Sequence, residues 1–221
     1  MHILANEPAV PAQTEGRLIP WALFYDGMVN LMTLGHARRL RSMTVDQALL
    51  KSGENVLDVG CGTGGVTLPA KKLVGMTGSV AGIDPSPQMI AIARRKAHRD
   101  GLQIDFRVGV IESLPFSDVT FDAVTSSLMM HHLPDHLQVK GLSEIWRVLK
   151  PGGRILIADM LRPSGSHLKQ IFSMVLHHGH AVSFGIQDMH KLIEAAGFEQ
   201  VEQLDARFLV IGFVRARRPA A

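Results

Sequence analysis

The residues best able to do chemistry lie in one string, Val56-Leu57-Asp58-Val59-Gly60-Cys61-Gly62-Thr63-Gly64-Gly65. Glycines grouped in this way let a backbone turn sharply and bring its amides against a ligand with no Cβ in the way. By spacing alone, Gly60, Gly62 and Gly65 fit a dinucleotide fingerprint. Two carboxylates bear on the ligand. Asp58 stands two residues before the first glycine, where dinucleotide folds hold an apolar side chain. An acid there can face a sulfonium or an ammonium, and would repel the phosphates of a dinucleotide. Asp84 ends the run Val80-Ala81-Gly82-Ile83 and can accept both hydroxyls of a ribose. Both kinds of ligand carry that ribose, so Asp84 indicates a nucleoside without choosing between them.

His131 and His132 fall just past the carboxyl end of a strand run, where the ligands of open α/β sheets bind. They are the candidate catalytic residues, because an imidazole can take a proton from a phenol or an amine. The competing reading is that they only shape the loop. Cys61 is the single cysteine, so there is no disulfide framework. It reads as a small residue in a tight turn, since a nucleophilic thiol needs a neighbouring base. His177, His178 and His180 have no cysteine or acid at ligand spacing, so no metal site is expected.

The elements that must hold these residues alternate. β-rich runs at 56–59, 79–83, 104–108, 121–127 and 154–158 are interleaved with helical patterns at 64–73, 86–99 and 138–149. Alternation of this kind implies a parallel sheet with right-handed crossovers. Pro151-Gly152-Gly153 reads as a turn closing the third of these helices. A helix near 187–196 stops at Gly197, and runs near 199–204 and 208–214 follow. The link between those two is too short for a parallel crossover, so they must form an antiparallel hairpin. The expected fold is a Rossmann-like, doubly wound α/β sheet, mostly parallel with one antiparallel strand.

Ahead of that core, residues 1–20 read as a loose arm and 21–50 as a helical lid broken at Gly27 and Gly35. Residues 51–221 form the main domain, with an insertion at about 162–185 between the fifth of these strand runs and the next helix. Trp21, Leu23, Phe24, Met28, Leu31 and Met32 make an apolar stripe. It suits core or lid packing, and also a hydrophobic substrate mouth or a membrane surface, with Arg38, Arg39 and Arg41 nearby for anionic lipid. The formal charge of +3 is too small for a nucleic-acid binder. The sequence shows no secretory signal and no run long enough to span a membrane, so a cytoplasmic protein is expected. A homodimer is left open.

The string Leu57-Asp58-Val59-Gly60-Cys61-Gly62-Thr63-Gly64 resembles the glycine loop of class I S-adenosylmethionine-dependent methyltransferases. The resemblance runs from about Tyr25 to Arg215, through Gly82-Ile83-Asp84-Pro85-Ser86, Glu112-Ser113-Leu114-Pro115-Phe116, Met130-His131-His132-Leu133 and Arg147-Val148-Leu149-Lys150-Pro151-Gly152-Gly153. It is nearest to the ubiquinone/menaquinone-biosynthesis C-methyltransferases. The resemblance implies a class I fold, S-adenosylmethionine as cofactor and a small-molecule acceptor such as a quinol, phenol or amine, covered by the insertion at about 162–185. It implies that Gly60, Cys61, Gly62, Thr63 and Gly64 cradle the methionine part, with Asp58 orienting it and Asp84 on the ribose. Pro85, Ser86 and Met89 would flank the adenine, with Ser127 also at the cofactor and Tyr25 closing over it. Relatives often carry an aspartate for the adenine amine where this chain has Val110; the Ile111 amide could still serve the ring. Two other readings stay open: a protein that binds the cofactor without methyl transfer or with a different reaction, and an NAD-dependent oxidoreductase.

Overall fold

The computed structural model describes residues 13–19, 22–162 and 185–220. Two short helices open it, α1 (Ala22–Met32) and α2 (Ala37–Gln47). The core follows as β1 (Asn55–Val59), α3 (Thr67–Val74), β2 (Ser79–Asp84), α4 (Pro87–Arg99), β3 (Asp105–Val108) and β4 (Phe121–Ser127). Then come α5 (Asp135–Val148), β5 (Leu149–Met160), α6 (Met189–Ala195), β6 (Glu199–Gln203) and β7 (Ile211–Arg217).

The seven strands lie in the order β3-β2-β1-β4-β5-β7-β6. The β3-β2, β2-β1, β1-β4 and β4-β5 pairs are parallel, whereas β7 runs against both β5 and β6. The chain therefore has the expected mostly parallel sheet with one antiparallel strand. Side chains alternate between its faces, as the period of a strand requires. Leu57, Val59, Ile83, Val124 and Ile157 pack under α5 and α6, with Leu142, Ile145 and Ile193. Val56, Val80, Ala123, Leu156 and Phe213 face the opposite layer, with Leu40 of α2 and Ala70 and Val74 of α3. The sheet is doubly wound because both of its faces are apolar.

Several boundaries differ from the expectation. Gly27 lies inside α1 rather than breaking it; its added Cβ would meet nothing, so the position is exposed and tolerated. Gly35, at φ +82°, does end that segment. The helix expected from Gly64 begins at Thr67, because residues 60–66 are consumed by the loop. The turn at Pro151-Gly152-Gly153 is absorbed into β5, which bends at Gly152 with φ +73°. Of the expected arm, residues 13–19 are described and lie without helix or strand. Trp21, the covering insertion except its edge residues, and His177, His178 and His180 lie outside the described residues. Among those described, no helix is long and apolar enough to cross a membrane.

Candidate active site

The carboxyl edges of β1, β2 and β4 frame a cleft of about 710 Å³ that opens to solvent. Its floor is the glycine loop. Gly60, Gly62 and Gly64 have φ of +70°, +52° and +83°, which side-chain-bearing residues rarely adopt. The loop hangs from β2: the amides of Gly60 and Cys61 both donate to the Ile83 carbonyl at 2.9 Å. Asp84 completes the anchorage, accepting from the Gly62 amide at 3.0 Å and the Ser86 amide at 2.9 Å. Ser86 in turn caps α4, its hydroxyl accepting from the Met89 amide.

Gly60, Gly62, Asp84, Pro85, Ser86 and Met89 line the cleft, as do Val110 and Ile111 on its far side. Tyr25 reaches down from α1, its ring 3.5 Å from where a Gly62 Cβ would stand. Beyond Tyr25 a second cavity of about 440 Å³ continues along the loop, lined by Asp58, Cys61, Arg41 and Ser127 among others. Tyr25 borders both cavities. Burial, and then the Asp84 carboxylate, push its phenol up to about 12.

Asp58 is buried beside the loop. It sits at the wall of the second cavity but is 2 % exposed, and both of its oxygens are already engaged. Thr67 donates to Oδ2 at 2.6 Å and Thr125 to Oδ1 at 2.8 Å. The carboxylate thus ties β1 to β4 and to the first residue of α3. Burial drives its pKa up to about 6, with Asp84 adding to the rise and the two hydroxyls opposing it. Asp84 is also raised to about 6, by burial.

Thr63 and Gly64 line neither cavity. A Cβ on Gly64 would lie 2.4 Å from the Leu68 side chain, so this glycine serves the packing of α3. The Thr63 hydroxyl donates to Asp26 Oδ1 at 2.9 Å. Arg41 donates to the same oxygen at 2.8 Å, and Lys96 pairs with Oδ2. Asp26 therefore joins α1, α2, α4 and the loop. Burial pushes its carboxyl up, but Lys96, Thr63 and Arg41 together hold it below the usual range. The sequence pointed to Tyr25 and passed over its neighbour. Cys61 is buried, its thiol pushed far up by that burial, consistent with a filler in a tight turn.

The two histidines separate. His132 lines the cleft, whereas His131 does not. His131 turns toward β5, its Nδ1 2.6 Å from Asp159 Oδ1. Asp159, fully buried, was also missed in the sequence. The signal was present: like Asp84, it is a lone acid ending an apolar strand. From the amino-terminal segment, Arg17, Leu18 and Ile19 join the cleft wall, which periodicity in a segment without helix or strand could not foretell.

A methyltransferase-domain family model matches residues 56–153. Over 94 % of its length the chain is 33 % identical to a 2-phytyl-1,4-naphtoquinone methyltransferase of Synechococcus elongatus, covering 91 % of that protein. It is 34 % identical to a demethylmenaquinone methyltransferase of Lactiplantibacillus plantarum, over 86 % of this chain and 82 % of the other. Among solved structures, a SAM-dependent methyltransferase from Aquifex aeolicus superposes with a TM-score of 0.65 at 25 % identity, over 80 % of this chain and 88 % of that one. The open glycine loop and the Asp84 carboxylate at the cleft fit a sulfonium nucleoside. The chain belongs to the class I S-adenosylmethionine-dependent methyltransferases, in the subgroup of the ubiquinone/menaquinone-biosynthesis C-methyltransferases, and uses S-adenosylmethionine to methylate a small molecule.

Proposed function

We propose that the acceptor is a quinol bearing an apolar chain, methylated on a ring carbon. The observation that carries this reading is the near full-length likeness to a protein named as a phytyl-naphthoquinone methyltransferase. The apolar character of Leu18, Ile19, Leu128, Met129 and Leu133 around the cleft supports it. So does the outer face of α1, where Leu23, Phe24 and Leu31 are each at least 75 % exposed. With the exposed Arg38 and Arg39 alongside, that face suits a peripheral contact with the membrane in which such a quinol dissolves.

In this reading Gly60 and Gly62 admit the methionine part, Asp84 accepts from the ribose, and Pro85, Ser86, Met89, Val110 and Ile111 enclose the adenine. Ser127 and Cys61 border the methionine end, and Tyr25 closes over the whole. The cofactor supplies a methyl group made electrophilic by the sulfonium. The protein aligns the acceptor in line with it, excludes water and provides for the acceptor's proton.

The acids give this binding a pH signature. Asp58 and Asp84 have folded pKa values of about 6 against an ordinary 3.8. Burial thus favours their protonated forms: the stability tied to protonation is complete below 3.8 and is lost as pH rises through about 6. Above that, the empty protein holds two buried charges, which a cationic ligand relieves. S-adenosylmethionine should therefore bind more tightly as pH rises from 5 to 7, by up to about tenfold per unit per group, and should release protons near pH 6. Calorimetry in buffers of different ionisation enthalpy reads both; flat affinity without proton release would contradict the placement of these acids.

The acceptor is tested by S-adenosylhomocysteine release across short-chain naphthoquinols, simple phenols, amines and phospholipid amines. Turnover with the quinols above all others is expected. Release only with amines would overturn the acceptor assignment, and binding without release on any of them would favour a cofactor-binding protein of another function.

A further inference from the structure

We infer that Asp159 is a positioning residue, holding His131 in the tautomer whose Nε2 can take the proton from the acceptor's hydroxyl. The inference rests on the quinol reading above and adds to it a choice between two histidines and a third residue behind one of them.

Asp159 stands at the carboxyl end of β5 with no exposed surface. Its Oδ1 accepts from the Met160 amide at 2.7 Å and lies 2.6 Å from His131 Nδ1. Its Oδ2 accepts from the His131 amide at 3.2 Å. One carboxylate thus grips both the backbone and the ring of the same residue. An ionised carboxylate can only accept, so the ring hydrogen is fixed on Nδ1 and the lone pair is left on Nε2. Among the described residues Nε2 has no hydrogen-bond partner. A positive charge on His131 would be matched by the carboxylate beside it, as in the orienting acid of a hydrolase triad.

His132 lacks such a partner. Its ring lies against that of His131, with centroids 4.0 Å apart, so the two cannot share a proton's charge cheaply. Burial, and then His131, hold it down to about 3, so it stays neutral and is a weak proton acceptor. The ring that lines the cleft is therefore suited to packing and hydrogen bonding, whereas the ring beside it is the one paired with an acid. His131 sits over the seam between β4 and β5, where the Leu128 amide donates to the Ala158 carbonyl at 2.8 Å. That seam lies away from Asp84 and the adenosine side of the cleft. The charged or titratable groups that act on His132 are His131, Asp159 and Arg17 of the amino-terminal segment.

In the step proposed, the acceptor O–H bond breaks, the proton goes to His131 Nε2 and the electron pair stays on oxygen. The ring carbon, made nucleophilic by that pair, bonds to the methyl while the carbon–sulfur pair returns to sulfur. The ring carbon then loses its hydrogen to solvent as a proton, and the oxygen recovers the proton held on His131.

The test uses Asp159→Asn, whose amide can donate to Nδ1 and so drive the ring hydrogen to Nε2. With a short-chain 2-alkyl-1,4-naphthoquinol, kcat should fall by roughly 10²–10⁴-fold with the cofactor KM nearly unchanged. With 2-hydroxy-1,4-naphthoquinone, already ionised at neutral pH, kcat should stay near the parent's. His131→Gln should show the same selective loss. Nitrogen NMR of the cofactor-free parent should find Nδ1 protonated and Nε2 bare, reversed in Asp159→Asn. Equal losses on both acceptors, or a parent ring protonated on Nε2, would overturn the inference. No product from the parent with either acceptor would instead overturn the quinol reading, and this one with it.

Discussion

Replacing Asp84 with alanine should weaken S-adenosylmethionine binding by roughly 10²–10⁴-fold while the protein stays folded. The carboxylate has two duties in one place. It accepts from the Gly62 and Ser86 amides, fixing the loop against the start of α4. It also faces the cleft, where a ribose would offer two hydroxyls to its remaining lone pairs. Hydrogen bonds to a charged group contribute about 1.5–3 kcal/mol each, so losing the pair to the ribose accounts for the expected change. Folding survives because removing the carboxyl also removes a buried charge, which offsets the two amides left without a partner. Titration calorimetry reads the affinity and circular dichroism the fold. Asp84→Asn should fall between parent and alanine, since an amide keeps one acceptor. A variant that is folded and binds as tightly as the parent would place the cofactor elsewhere.

The largest effect on stability should come from Arg154→Ala, a loss of roughly 3–5 kcal/mol. Arg154 is 6 % exposed and spends its donors on two sets of partners. Its guanidinium meets both Glu54 oxygens, at 2.9 and 2.6 Å, and donates to the Ala48 and Leu49 carbonyls at 2.7 and 2.6 Å. It therefore sews the end of α2 and the lead into β1 onto β5. Truncation would strand a half-buried carboxylate and two carbonyls together. A loss of that size corresponds to a fall in Tm of roughly 6–20 °C for a chain of this length. Because burial raises the Glu54 carboxyl but Arg154 and the Lys51 amide outweigh it and hold it below its usual range, part of the parent's advantage should vanish in acid as Glu54 protonates. A change under about 1 kcal/mol in urea melts would show that water replaces the arginine at little cost.

What could be read from the sequence follows a physical division. Gly60 and Gly62 were legible because positive φ is nearly confined to one residue type. The parallel core was legible because both sheet faces are apolar, and the terminal hairpin because its link is short. Asp58 was located but its surroundings were not: Thr125 lies 67 residues away and meets it only through the register of β1 with β4. The pairing of His131 with Asp159 spans 28 residues and needs the seam between β4 and β5. Gly27 reads as a break because its intrinsic propensity is poor, yet packing of Tyr25 and Val29 carries α1 through it. Pro151 and two glycines hid the first third of β5, whose pairing with β4 is irregular there.

Fold alone does not fix a reaction, since one scaffold hosts many. The proposed reaction is delivery of a methyl group from this cleft to the ring of a quinol. It is tested most directly by incubating the protein with methyl-deuterated S-adenosylmethionine and a short-chain naphthoquinol, and analysing the quinone by mass spectrometry and proton NMR. One labelled methyl group is expected on the ring carbon next to the alkyl chain, with one S-adenosylhomocysteine formed per label. Label on a quinol oxygen, or S-adenosylhomocysteine absent while the cofactor binds, would contradict it.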